Sequence, residues 1–355
     1  MFRLVAFVTL SFLGAASQAA ATKAAPACAA PAAGVAESQR KFHPGHYAAV
    51  GRAEQGNLVA AAQTPGITGV QRRYRWSQLE PQEGNYDFSV IARDLESIAR
   101  SGGQLVAMIE DKSFDGTMPL PAYLANYALR GERGFVAKRW DPFVVDRFVR
   151  LVAALGSEFD CSPNFEGVAL QESALSLETA TLSDAGYTAA KYRDALVQLL
   201  RGAAAAVPRS RVFWYMNYLP GKQSYLADVA GAVTGTGVVM GGPDILPDNT
   251  SLAERVYPLY DRFNGRLKLF GSMQHDSYRH PRGARGRANA PADATGYWSL
   301  EELFAFARDE LHVDYVFWEY RSKQYPANTR SWNEAREVIA RHPPQFRAGQ
   351  GKGST

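Results

Sequence analysis

Apolar residues fall along this chain in blocks of two kinds. Short apolar runs without internal alternation read as strands covered on both faces. Eight strand candidates are present, most of them such runs: a weak one at His46–Gly51, then Gly69–Tyr74, Leu105–Ile109, Val168–Leu170, Arg211–Tyr215, Val238–Met240, Leu267–Gly271 and Tyr315–Trp318. Stretches with apolar residues at helical spacing lie between them. Val144, Phe148, Leu151, Val152 and Leu155 form one stripe, and Leu300, Leu303, Phe304, Ala307 and Leu311 form another. Ser89–Arg100 and Tyr187–Ala206 predict further helices. Asp141 before Pro142 is an N-cap with proline at the first helical position, and Ser299 with Glu302 is a capping box.

Strands alternating with helices predict one α/β domain, a single (β/α)8 TIM barrel over residues 38–343. A doubly wound sheet is the competing fold. It expects a Gly-rich phosphate loop after an early strand, and the sequence has none.

Composition narrows the class. The 355 residues are 46% hydrophobic and 21% charged, which suits a globular protein with a large core. A net charge of +4, with no basic run among aromatics, argues against a nucleic-acid partner. Residues 1–20 read as a signal peptide: Arg3 near the start, an apolar run from Val5 to Ala15, then small residues at Ser17, Ala19 and Ala20. No lipobox precedes Cys28, and no later segment predicts membrane insertion. The expectation is a periplasmic or secreted protein. Residues 21–37 read as an Ala/Pro-rich flexible leader and 344–355 as a disordered tail. Cys28 and Cys161 either pair in an oxidising compartment or stay apart. The six His residues show no ligand spacing, so neither a metal nor an organic cofactor is expected. No feature fixes an oligomeric state.

In such a barrel the reactive groups lie just past the strand ends. The second run is followed by Arg73, Arg75 and Trp76, the third by Glu110, Asp111 and Lys112, and the fourth by Gln171, Glu172 and Ser173. Tyr215, Asn217 and Tyr218 end the fifth, and Asp244 follows the sixth. Gln274, His275, Asp276 and Tyr278 follow the seventh; Trp318, Glu319, Tyr320 and Arg321 end the eighth. Carboxylates, amides and aromatic rings on one face suit a carbohydrate substrate. Amides and carboxylates bind hydroxyls, rings stack on sugar faces, and paired carboxylates cleave a glycosidic bond.

Residues 69–103, GVQRRYRWSQLEPQEGNYDFSVIARDLESIARSGG, resemble the second β/α unit of clan A glycoside hydrolases of the β-galactosidase type. The matching residues are the Arg leaving the strand, then Trp76, Leu79-Glu80-Pro81, Glu83-Gly84 and Tyr86-Asp87-Phe88. The layout extends the resemblance over roughly residues 45–340. It implies an acid/base Glu ending strand four, which Glu172 matches, although Gln171 stands where the clan has Asn. It implies an Arg near the end of strand two that supports the nucleophile, which Arg73 or Arg75 matches, and an aromatic ending strand eight, which Trp318 matches. The clan's nucleophile is a Glu ending strand seven. Here that region is Ser272-Met273-Gln274-His275-Asp276-Ser277-Tyr278, with no Glu. Asp276 takes the second carboxylate role, or Glu319 does, or the site binds glycans without cutting them.

Structural roles stand beside these. Glu172 pairs with Arg73 or Arg75, Glu110 meets an Arg from strand two, and Trp76, Tyr215, Trp318 and Tyr320 pack the barrel top. The Arg-rich run 279–287 reads as a solvated loop.

Overall fold

The computed structural model describes residues 28, 35–52, 55–274, 276–283, 296–320 and 328–344. Residues 1–27, 29–34, 53–54, His275, residues 284–295, 321–327 and those beyond 344 lie outside them, and with them the expected signal peptide, most of the expected leader and the expected tail.

Eight parallel strands close into a barrel. They are β1 (Gly45–Ala49), β2 (Ile67–Arg75), β3 (Gln104–Glu110), β4 (Phe165–Leu170), β5 (Arg211–Tyr215), β6 (Val238–Gly242), β7 (Lys268–Met273) and β8 (Tyr315–Glu319). Each strand pairs with its sequence neighbours, and β1 closes the ring by pairing with both β2 and β8. One main helix follows each strand: α1 (Gln55–Ala62), α2 (Ser89–Ala99), α3 (Pro142–Phe159), α4 (Ala189–Ala206), α5 (Tyr225–Ala232), α6 (Tyr257–Phe263), α7 (Leu300–Asp309) and α8 (Asn328–Arg341). The (β/α)8 expectation holds, and every apolar run overlaps its strand.

The caps work as the sequence predicts. The Asp141 carboxylate accepts from Phe143 N at 2.9 Å to start α3. Ser299 and Glu302 form the capping box of α7. The helix expected from Tyr187 begins two residues later, because Thr188 caps α4 by accepting from Lys191 N. An antiparallel hairpin, Ala128–Arg130 with Phe135–Ala137, lies in the β3–α3 connection.

Two apolar layers hold the barrel. Inside it sit Tyr47, Val106, Met108, Ala169, Phe213, Tyr215, Val239, Phe270, Tyr315 and Phe317. Their rings meet edge to face, as at Phe213–Tyr315 (5.1 Å) and Tyr215–Phe270 (4.6 Å), the favoured geometry of aromatic pairs. The opposite face of each strand packs against the helices. Gly167 lets β4 approach β5, since a Cβ there would run into the Arg211 carbonyl.

His46 lies in the outer layer, fully buried between Phe304 and Trp318. Trp318 Nε1 donates to His46 Nδ1 at 3.0 Å, and His46 Nε2 meets the His342 carbonyl at 2.9 Å. This pattern requires the neutral ring protonated on Nε2. Burial pushes the imidazole down from 6.5 to about 4, and the His342 carbonyl opposes that in part. Above pH 6.5 both folded and unfolded chains hold a neutral ring, so the contribution is intact. Below it the unfolded chain takes up a proton that the folded one refuses. Stability is therefore expected to fall by about 3 kcal/mol between pH 6.5 and 4 from this group alone. Urea unfolding across that range checks it: the His46→Gln variant should lose this part of the slope. An unchanged slope would show that His46 is not its source.

Candidate active site at the barrel mouth

The site is built from the ends of β3, β4 and β5. Gln171 extends β4, and its side-chain oxygen accepts from Asp111 N (2.9 Å) and Lys112 N (2.7 Å). The amide oxygen thus ties β4 to β3. Glu172 follows, its side chain partly exposed. Lys112 Nζ donates to Glu172 Oε1 at 2.7 Å, and Asn217 Nδ2 donates to Oε2 at 2.7 Å. The expected partners Arg73 and Arg75 are not the ones found. Asn217, expected to bind substrate, holds this carboxylate and also accepts from Ala174 N at 3.1 Å.

Lys112 is itself enclosed. Its side chain is 3% exposed against 20% for Glu172. It also donates to the Ala174 carbonyl (2.9 Å) and Ser176 Oγ (2.8 Å). Ser176 adopts the left-handed conformation, φ +53°, unusual for a residue other than glycine. Burial pushes the Lys112 ammonium below its ordinary value, and the Glu172 charge restores part of it. Behind the pair, Arg139 grips Asp111 with two bonds, 2.6 and 2.5 Å, and donates to the Glu172 carbonyl. The backbone of Glu172 is therefore braced as well as its carboxylate.

A second cluster lines the β1–β3 side. Glu110 is buried and accepts from Arg52 Nη1 at 2.7 Å, with Arg73 Nη1 at 4.0 Å. Arg75 Nη2 reaches Thr117 Oγ1 (2.8 Å) and Asp115 Oδ2 (3.4 Å), and Arg52 also pairs with Asp115.

Three expected platforms are not at the surface. Trp76 is fully buried, packs edge-on against Phe148 and donates to Glu80 Oε2 at 2.8 Å. Trp318 is fully buried beside Phe304 and His46. Tyr215 fills the barrel interior and exchanges hydrogen bonds with the Gln71 amide at 2.7 and 3.0 Å. The exposed rings near this face are Phe114, with the Lys112 ammonium 4.7 Å from its centroid, and Tyr218.

On the remaining arc, the backbone carbonyls of Asp244, Gln274 and Glu319 accept from Tyr257 OH (3.3 Å), Tyr278 N (3.1 Å) and Tyr278 OH (2.9 Å). Asp276 precedes a short 3-10 turn, Ser277–Arg279. His275 lies outside the described residues. Among the described residues, no group of three or more His, Cys, Asp or Glu is arranged to hold a metal ion. Sequence reasoning missed the roles of Lys112, Arg139, Arg52 and Asp115. Position in the run Glu110-Asp111-Lys112 was the one signal for Lys112.

The closed (β/α)8 barrel is a fold shared with solved glycosidase structures. The β-galactosidase from the psychrophilic Marinomonas ef1 is similar in structure, with a TM-score of 0.56 at 11% identity over 83% of this chain and 59% of that one. The β-amylase catalytic domain from Paenibacillus polymyxa gives 0.55 at 11%, over 85% and 99%. A GH5_18 protein from Bifidobacterium longum, in complex with Manb1-4GlcNAc, gives 0.55 at 11%, over 86% and 79%. At these identities the likeness is one of fold. No protein-family model matches the sequence, and no curated protein does.

Proposed function

We propose that this chain is an exported glycoside hydrolase. It cleaves a glycosidic bond of an oligo- or polysaccharide at the barrel mouth by carboxylate acid/base chemistry. The observation that carries this reading is Glu172: a braced, partly exposed carboxylate at the end of β4, on a fold that glycosidases use. Glu172 serves the leaving oxygen as acid and base. Lys112 sets a positive charge beside it, and Asn217 fixes its plane.

Glu319 is the better second carboxylate. Tyr315 and Phe317 face the barrel interior, so alternation along β8 turns Glu319 the same way at the mouth. Asp276 sits three residues beyond β7, on a shorter side chain.

Export rests on the leader-like residues 1–20 and on the Cys28–Cys161 disulfide (Cα–Cα 5.5 Å), a bond suited to an oxidising compartment.

A second reading is a glycan-binding barrel that does not cut. It draws on the same contacts: both oxygens of Glu172 already accept from a donor. A broad oligosaccharide screen, read by mass spectrometry and calorimetry, separates the two. Products from at least one glycan are expected from the wild type. Binding without any product would favour the second reading.

A further inference from the structure

We infer that the mouth carries an anion subsite centred on Arg73, and that the glycan handled there bears a negative charge, as a uronic acid or a sulfated sugar. The inference rests on the glycan reading above and adds the substrate class.

The charge balance of the β1–β3 wall motivates it. Three guanidinium groups, Arg52, Arg73 and Arg75, face two carboxylates, Glu110 and Asp115. Arg52 takes Glu110 Oε2 at 2.7 Å and also pairs with Asp115, while Arg75 bonds Thr117 and lies 3.4 Å from Asp115. Arg73 is left over. Its one charged neighbour among the described residues is Glu110 Oε1 at 4.0 Å, beyond hydrogen-bond reach. A guanidinium has five N–H donors, and among the described residues the Arg73 side chain makes no hydrogen bond. The side chain is 34% exposed.

Its direction follows from the strand. Gln71, two residues earlier, points into the barrel to bond Tyr215, and alternation turns Arg73 the same way. The adjoining charges are matched: Lys112 is spent on Glu172, and Arg139 on Asp111. Inward strand-end positions are neutral at Ala49, Gly241 and Ser272 and acidic at Glu110 and Glu319. Glu319, the last residue of β8, and Asp276, three residues past β7, make no ion pair with Arg73. Among the described residues, no carboxylate is within hydrogen-bond distance of the Arg73 guanidinium, Glu110 Oε1 at 4.0 Å being its ion-pair partner.

A planar guanidinium open to the mouth matches a carboxylate or sulfate with paired N–H donors. β2 and β4 are two strand spacings apart, about 10 Å, so an anion on Arg73 belongs to a sugar adjoining the one at Glu172.

The test is calorimetry with tetrasaccharides of matched length: an oligogalacturonate, a sulfated oligosaccharide, and neutral mannan and cellulose oligomers. Wild type, Arg73→Gln and Arg73→Lys are each titrated at low and high salt. An acidic oligomer should bind the wild type at least about tenfold more tightly than the neutral ones, with a preference that shrinks in salt. Arg73→Gln should lose about tenfold on the acidic oligomer alone, and Arg73→Lys less, because a point charge replaces a fork. Comparing the uronate and sulfate arms identifies the anion. Equal or better binding of neutral glycans overturns the inference, as does an Arg73→Gln variant that keeps acidic binding. If neutral glycans are cut without acidic preference, the inference falls and the hydrolase reading stands. If no glycan in the panel binds, both fall. The wild-type preference does not depend on the variants folding.

Discussion

Glycan hydrolysis is expected to fall by about a thousandfold when Glu172 is replaced by Gln, within the range that general acid–base groups contribute. The amide matches the carboxyl in size and still offers an oxygen to Lys112 Nζ, now 2.7 Å from Oε1. It cannot give or take the proton. The loss should appear in kcat far more than in KM, because the hydroxyl-binding groups around the mouth remain. Steady-state rates on the best substrate of the screen measure it, with thermal unfolding of the variant as the check on folding. Full activity in Glu172→Gln would remove this residue from the chemistry.

Asp111→Ala is expected to cost about 4 kcal/mol of stability. Arg139 is buried, and its Nε and Nη2 bond the two Asp111 oxygens at 2.6 and 2.5 Å. Burial opposes the guanidinium charge, and Asp111 with Tyr192 more than offsets that, so the Arg139 pKa lies above its ordinary value. Without Asp111 a full charge stays in the interior with too few acceptors, and breaking such a pair from one side typically costs about 3–5 kcal/mol. Urea unfolding reads the loss directly. A change below about 1 kcal/mol would mean that water or another group takes over. Arg139 also donates to the Glu172 carbonyl, so the variant should lose activity even where it remains folded.

The barrel was legible because its strands are covered on both faces. Leu105–Ile109 and Arg211–Tyr215 lie almost wholly in apolar surroundings, and so do the segments observed around them. That same double burial hid the direction of side chains. Where both faces are apolar, alternation carries no signal, so Trp318 was expected at the mouth although it points out to Phe304. Trp76 looked like a platform because it follows β2, but it starts the short helix Trp76–Leu79 and turns under α3 to meet Phe148. Glu172 was legible as an abrupt carboxylate after an apolar strand. Its partners were not: Lys112 lies 60 positions away and Asn217 lies 45, and nothing local in either residue announces the contact. The backbone contacts of Gln171 were hidden for a related reason. A strand-end amide can serve a sugar or a neighbouring backbone, and its contact with the Asp111 and Lys112 amides leaves no local trace in the sequence. The hairpin between β3 and α3 has strands of three residues each, too short for a period-two pattern to emerge.

The central claim is that a glycan is held against Glu172 at the mouth of this barrel. A crystal structure of Glu172→Gln with the tightest oligosaccharide of the panel tests it most directly. The account predicts a glycosidic oxygen within about 3 Å of the residue 172 amide, with the chain of sugars running toward Arg73. A glycan bound elsewhere on the protein, with the mouth holding only water, would contradict it.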